Sequence, residues 1–492
     1  MYSHITKFIK IGSKFQIMSS DQGTASLDHI LDKYVGGAGK YQLLNSFLMA
    51  WVYYAGLYAL FITVFAVYEP PHRCRIEHCE IENQTKVSSG IYQNEWLEFA
   101  IPPENKSQNF LSEKRSFDGC TMYKRLDVID PKAQGYCFPD SFSDNETEPC
   151  QDFIYSNDYF EETLTTKLDL VCDSASLKSL LDTLLIVGLL FGSLIGGRLG
   201  DKFGRKKAMF LAIAIIVPVT IINGHMTSYY AYAIFHFITM MCLPVIWVNA
   251  YVYSTEVFIP KWRYAFIGFF EIPIGYYIYN LIAYLNTTWT GIHIWVGIVT
   301  ALVLPLYFIL PESARWLAQN KKEEAAMEVL LRIAKINGKK LEPEDETKML
   351  EIVKAVANES HKTEDKLTPL DMFRQGHAVK SLILVFAWIT SCISFYALSL
   401  NSNDLSGDIM LNFFFSRTSG FGVAIGILLI ANFFGRTKSL VTSHTLLGIS
   451  CIGLAFIPKD NVNAVLIVYV FANIVASISK YNLLFFGRSY LL

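Results

Sequence analysis

Gly197-Arg198-Leu199-Gly200-Asp201-Lys202-Phe203-Gly204-Arg205-Lys206-Lys207 separates two long apolar runs, Leu177 to Gly197 and Ala208 to Gly224. A connection this short and this charged between such runs reads as a tight hairpin outside the hydrocarbon. Its five Lys/Arg place it on the cytoplasmic side of a membrane. The rest of the chain agrees. Of 492 residues, 52% are hydrophobic and only 17% are charged, where a soluble domain carries about 25%. The missing charge is missing in blocks. The net charge of −2 gives no bulk attraction to nucleic acid. The first forty residues hold scattered lysines and no apolar h-region, so no cleaved signal peptide is expected.

Ten stretches reach the roughly 17–25 residues that a spanning helix needs: 43–67, 177–197, 207–224, 229–253, 264–285, 292–311, 380–400, 409–432, 439–458 and 462–486. Uninterrupted apolar runs without alternation predict helices, not the strands of a membrane barrel. The four short loops of one parity (223–228, 286–291, 401–408 and 458–461) contain a single lysine, Lys459. Loops of the opposite parity hold Arg198 to Lys207, Lys261 with Arg263, the stretch from Arg315 to Lys380, and Arg436 with Lys438. That asymmetry predicts a cytoplasmic N-terminus.

Two hydrophilic insertions divide the spans. Residues 68–176 form a large extracellular loop after the first span, with Cys74, Cys79, Cys120, Cys137, Cys150 and Cys172. Six cysteines in an exoplasmic loop predict three disulfides, with fifteen possible pairings. Their wide spacing argues against zinc. Glycosylation sequons stand at Asn83, Asn105 and Asn145. Residues 312–379 form a cytoplasmic helical insertion after the sixth span, where Lys321 to Ile336 shows helical apolar spacing. The expected organisation is a cytoplasmic N-terminal segment (1–42), a six-helix bundle (43–311), a cytoplasmic linker (312–379) and a four-helix C-terminal bundle (380–492).

Several stretches resemble the organic cation and anion transporters of solute carrier family 22, in the major facilitator superfamily. The Gly197–Lys207 hairpin resembles the loop that the superfamily carries after its second helix. Leu31-Asp-Lys-Tyr-Val-Gly-Gly-Ala-Gly-Lys-Tyr-Gln42 resembles the lead into the first helix, Pro71-His-Arg-Cys74 and Thr165 to Asp173 the ends of the outer loop, Pro311-Glu-Ser-Ala-Arg-Trp-Leu317 the signature after the sixth helix, and Asn432-Phe-Phe-Gly-Arg436 the repeated loop motif. The resemblance implies an all-α major facilitator fold, and ten predicted helices (6 + 4) stand where the superfamily usually has twelve. It also implies a cytoplasmic charge network of Gly197, Asp201, Gly204, Arg205, Glu256, Arg263, Glu312, Arg315, Gly435 and Arg436 that holds the two halves together when the outer side is open. Arg198 and Lys202 read as topological charges only.

An ionisable side chain inside a span marks function. Glu271, in the fifth span, either holds an organic cation beside aromatic rings, shuttles a proton, or pairs with another helix. Arg417 starts the eighth span and either attracts an anion, pairs with Glu271, or snorkels to the outer interface. His236 reads as a satisfied structural donor, with titration near neutral pH as the alternative. Tyr277 and Trp388 complete the candidate substrate-binding residues. Pro218, Pro244 and Pro273 sit inside spans that must rock.

Together these readings predict a multi-pass plasma-membrane carrier of small organic ions (cation, anion or zwitterion). It would work by alternating access, as facilitated diffusion or exchange. No enzyme, cofactor, metal or nucleic-acid role is expected; the partners are a small organic ion and the bilayer. Gly-x4-Gly-Lys-Ser/Thr is absent from the sequence, which excludes an ATP-driven pump of that type. The alternatives are a sugar-porter-like carrier, or a C-terminally truncated, non-transporting paralogue that binds a full-length relative and acts in a dominant-negative way.

Overall fold

A computed structural model describes residues 27–76, 79–80, 86–87, 91, 96–103, 117–126, 139–260, 262–263, 273–362, 378–400, 408–433, 436–458 and 461–491. Its longer helices are α1 (Lys40–Ala66), α2 (Ala175–Phe203), α3 (Arg205–Asn223), α4 (Tyr229–Val257), α5 (Ile274–Leu285), α6 (Trp289–Ala301), α7 (Ala314–Gln319), α8 (Glu323–Ile336), α9 (Pro343–Lys362), α10 (Ala378–Leu400), α11 (Ile409–Phe433), α12 (Arg436–Phe456) and α13 (Val462–Leu491). Among the described residues, seven segments are long and apolar enough to cross a membrane: α1, α2, α3, α4, Trp289–Ile309, and the cores of α10 and α12. Helices α11 and α13 overlie two further predicted spans, and α5 covers the end of a third whose residues 264–272 lie outside the described set.

The charged hairpin is not a loop. α2 runs through the predicted turn to Phe203, α3 begins at Arg205, and Gly204 alone joins them, at φ 106° and ψ 150°. Its N–H donates to the Gly200 carbonyl (3.1 Å), and the Ala208 N–H donates to the Gly204 carbonyl (3.1 Å). Helical hydrogen bonding does not stop where the hydrocarbon stops. It continues until a residue takes a backbone conformation that essentially only glycine adopts.

α2 packs on α4 through a stripe of buried glycines, Gly188, Gly192, Gly196 and Gly200. Four-residue spacing puts them on one helical face, and small residues let two backbones approach where no water drives association. A Cβ on Gly192 would meet the Met241 carbonyl oxygen, and one on Gly200 would meet the Asn249 side chain. Asn249 Nδ2 already donates to the Gly196 carbonyl (2.9 Å) and the Val245 carbonyl (2.8 Å), so it joins the two helices.

The predicted 292–311 span is broken. After α6, tight i→i+3 bonds (Val303 to Thr300, Leu304 to Ala301, Leu306 to Val303) form a turn, and a four-residue helix, Leu306–Ile309, follows. Pro305 has no N–H to give, and its ring opposes the carbonyl four residues back.

The 68–176 segment is not helical throughout, which corrects the all-α expectation. Strands β1 (His72–Cys74), β2 (Lys86–Val87) and β5 (Phe153–Ser156) form one sheet in the order β1-β5-β2, with His72 opposite Tyr155. β3 (Thr121–Arg125) and β4 (Phe142–Pro149) form an antiparallel pair with an irregularity between Tyr123 and Arg125. Inside this small domain Arg73 is only 1% exposed. Its guanidinium donates to the Ile91 carbonyl (2.8 Å) and the Cys74 carbonyl (3.1 Å), pairs with Glu80 (2.5 Å), and lies over the Trp96 ring. That full set of partners is what makes a buried cation tolerable.

At the opposite end, α8 buries Ala326, Leu330, Ile333 and Ala334, as the helical spacing predicts. Asn337, just past α8, links the insertion to the start of the chain. Its Oδ1 accepts the Tyr41 N–H (2.9 Å), and its Nδ2 donates to the Val35 carbonyl (3.0 Å), the Gly36 carbonyl (3.2 Å) and Gln42 Oε1 (3.0 Å). One side chain thereby satisfies donors and acceptors left open at the head of α1.

Candidate functional site

Most predicted network residues meet at the basic end of the bundle. Arg205, buried at the first position of α3, pairs with Asp201 one turn back and with Glu256 at the end of α4 (3.5 Å). Glu312 Oε1 accepts the N–H groups of Lys206 (3.0 Å) and Ser313 (3.1 Å), so a carboxylate sits on the positive end of α3. Trp316 Nε1 donates to the Asp201 carbonyl (2.8 Å). Arg263 Nε donates to the Thr255 and Phe258 carbonyls (2.8 and 3.0 Å), which closes the C-terminus of α4.

Asp28 joins this network although the sequence reading did not single it out. One of its oxygens takes both Arg263 (2.9 Å) and Arg315 (2.6 Å). The available signal was the helical spacing of Leu27, Ile30, Leu31 and Tyr34, all of which are buried. Among the described residues the network therefore joins α2, α3 and the end of α4 to the 27–35 segment and to the start of the insertion, not one half to the other. Gly435 lies outside the described residues, as does the side chain of Arg436, which opens α12. Gly197 faces open space, so no close contact requires it.

The second cluster lies where α1, α5 and α11 meet. Tyr277 stacks on Phe414 (centroids 4.7 Å apart, planes 23° apart), and its hydroxyl is 2.9 Å from Thr418 Oγ1. Arg417, on the same turn of α11, is 5% exposed. Its guanidinium lies over the rings of Phe61 (4.9 Å), Tyr276 (5.5 Å) and Phe413 (5.5 Å). It does not snorkel: Nη2 donates to Ser416 Oγ (3.0 Å), and Nε has no hydrogen-bond partner among the described residues. No carboxylate among those residues pairs with it. Ring faces compensate part of the lost hydration. Glu271 lies outside the described residues.

The other candidates sit elsewhere. His236 is 1% exposed and stacks on Tyr232 (5.9 Å, 10°) in a cluster with Trp289 and His293. Its Nε2 has no partner among the described residues. Trp388 is half-buried on α10.

In the 68–176 domain Cys74 pairs with Cys150 and Cys120 with Cys172, at Cα separations of 5.2 and 5.5 Å. Cys79 is also disulfide-bonded, and Cys137 lies outside the described residues. His72 Nε2 approaches Cys172, but a sulfur already in a disulfide offers no thiolate to a metal. Asn145 is exposed on β4, while Asn83 and Asn105 fall outside the described residues. Just past the end of α1, burial pushes the Tyr68 hydroxyl up to about 12, with smaller contributions from Tyr159, Asp158, Asp408 and Glu69.

Comparison with known proteins adds to this geometry. The family model described as sugar (and other) transporter matches residues 134–480. Human solute carrier family 22 member 10 is 27% identical over 433 residues, which cover 87% of this chain and 78% of that protein. Mouse solute carrier family 22 member 3 is 29% identical over 355 residues, 71% of this chain and 62% of that protein. The solved structure of the proton:xylose symporter XylE bound to 6-bromo-6-deoxy-D-glucose superposes with a TM-score of 0.52 at 19% identity. That match covers 65% of this chain and 74% of the symporter.

Proposed function

Because the chain belongs to the sugar (and other) transporter family, a multi-pass membrane carrier lineage, we propose that it moves small organic ions by alternating access, with the substrate passing between α5 and α11. The observation that carries this reading is Arg417, a buried guanidinium ringed by Phe61, Tyr276 and Phe413 with no carboxylate against it among the described residues. An anionic group on the substrate would complete the charge, and the surrounding rings would hold an apolar or aromatic body. Tyr277 and Thr418, hydrogen-bonded across the same seam, would part and re-form as the two sides move.

Resemblance to solute carrier family 22 favours organic ions over sugars. A buried cation also gives a neutral hexose nothing that hydroxyl-binding amides would not give better. The proposed setting is the plasma membrane, with the basic end and N-terminus in the cytoplasm. Movement would be facilitated diffusion or exchange. The charge network around Arg205, Glu256 and Glu312 would brace the cytoplasmic ends of α2, α3 and α4 as one body that moves. One observation favours a second reading, a cationic or zwitterionic substrate: Asp158 and Asp408 lie close enough to Tyr68 to act on its hydroxyl, as does Glu69, which Lys178 pairs (3.1 Å).

Uptake by cells expressing the full chain separates the two. A labelled aromatic carboxylate should enter, and Arg417→Gln should raise its KM on the order of tenfold or more, since removing one side of a desolvated charge pair is costly. Uptake of a labelled quaternary ammonium with exclusion of the carboxylate would refute the anion reading and leave the second.

A further inference from the structure

The break after α6 opens a cavity of ≈ 530 Å³ between the basic ends of α2 and α3 and the short Leu306–Ile309 helix. Its walls are apolar and include Phe203, Leu211, Ala214, Leu304 and Phe308. Leu211 is 57% and Phe308 85% exposed, so the cavity opens sideways from the bundle, toward lipid. Lys207 lines the same cavity. Lys206 Nζ lies 4.2 Å from the centre of the Tyr307 ring, and Arg332, on α8, donates to the Ile309 carbonyl at the end of the short helix (3.3 Å).

Three cations therefore converge at one rim, and Lys206 feels both Lys207 and Arg332. The carboxylate acting on Lys206 is Glu312, and its Oε1 is already engaged by two backbone N–H groups. A positive rim above an apolar, sideways-opening cavity matches one kind of molecule, with an anionic head and a hydrocarbon tail. The anionic lipids of the cytoplasmic leaflet have that form and lie at that depth.

We propose that this cavity is a binding site for an anionic diacyl phospholipid, with one acyl chain in the ≈ 530 Å³ cavity and the phosphate held by Lys206, Lys207 and Arg332. It rests on the membrane-spanning reading of α2 and α3 and is independent of which substrate is carried. Lys206 belongs to both features: its side chain faces the rim, while its N–H binds Glu312. The lipid head would thus sit beside the charge network that surrounds Gly204.

Native mass spectrometry of the purified full chain, with equal amounts of phosphatidylglycerol and phosphatidylcholine added, tests this. One phosphatidylglycerol should be retained in preference. Lys207→Gln should lower that retention roughly fivefold, the worth of one cation near an anionic surface. Lys438→Gln, at the basic end of α12, should leave it unchanged. Ala214→Phe, which fills the cavity, should remove the bound lipid while melting in phosphatidylcholine nanodiscs stays like wild type. If that variant fails to fold, the two lysine variants decide alone. Equal retention of both lipids, equal loss with Lys438→Gln, retention of glycerol 3-phosphate without a tail, or a dimer lost with Ala214→Phe would each overturn the proposal.

Discussion

Gly204 and Gly197 are seven residues apart in one motif, and their surroundings differ. Gly204 holds φ at 106°, and a Cβ there would collide with the Glu312 carboxylate; around Gly197 nothing lies within 4 Å. Gly204→Ala should cost about 1–3 kcal/mol from the backbone alone, and it should also displace Glu312 from the head of α3. Gly197→Ala should be neutral or stabilise α2 by up to about 1 kcal/mol, as alanine does for glycine inside a helix. Thermal unfolding of the two variants in one detergent checks both; equal melting temperatures would show that the turn is not under this constraint. The residue types of the network were legible in the sequence because charge is rare near spans. Asp28 was not, because an acidic residue in a polar leader looks like any solvated one until its fold position is known. Arg417 was legible as an intramembrane charge, but its depth was not: two of the three rings over it come from α1 and α5, far away in the chain.

Helices pair here by backbone approach, and the α2–α4 seam shows it. Gly192 lies against the Met241 backbone, whereas Gly448, on α12, has nothing within 4 Å. Gly192→Ala should destabilise by about 1–3 kcal/mol, the usual cost of overfilling a packed seam, and Gly448→Ala should not. Melting curves and monodispersity on size exclusion would show the difference. The four-residue glycine spacing is visible in the sequence, but the partner helix is not. The same limit explains the two helix boundaries that came out differently. Hydropathy ends α2 at Gly197 because the following residues are charged, yet backbone bonding carries it to Phe203. Hydropathy also runs straight through Pro305, where the α-helical ladder gives way to tight i→i+3 bonds. In the 68–176 segment composition announced disulfides, but six cysteines fit many pairings, three of the strands have four residues or fewer, and the eight-residue β4 is mostly polar.

For the molecule as a whole, Asp28 is the point where the leader, α4 and the segment after α6 are held together. Asp28→Asn removes the charge shared by Arg263 and Arg315. The basic end should then loosen: a thiol-reactive probe at an engineered cysteine in the 27–35 segment should label several-fold faster, with expression maintained. Unchanged labelling would mean that the apolar contacts of Leu27, Ile30 and Leu31 suffice without the charge. At the far end, peptide mapping without reductant should recover Cys74 linked to Cys150 and Cys120 linked to Cys172. Replacing Cys120 and Cys172 together by serine should cost about 2–5 kcal/mol and lower the amount of protein reaching the cell surface. Other pairings would mean that the 68–176 domain folds differently from the sheet order given above.

The Asn337 hub also has a consequence for biosynthesis. Its side chain donates to the Val35 carbonyl across 302 residues of chain, and Asp28 binds arginines nearly as remote. A ribosome adding about 5–20 residues per second makes the leader roughly 15–60 s before its last partner emerges. During that interval the apolar face of residues 27–35 has no α8 to cover it, while α1 is already long enough to insert. The 27–35 segment is thus made long before its partners in α8 and after α6. A chaperone or the inserting machinery would meet it in that window.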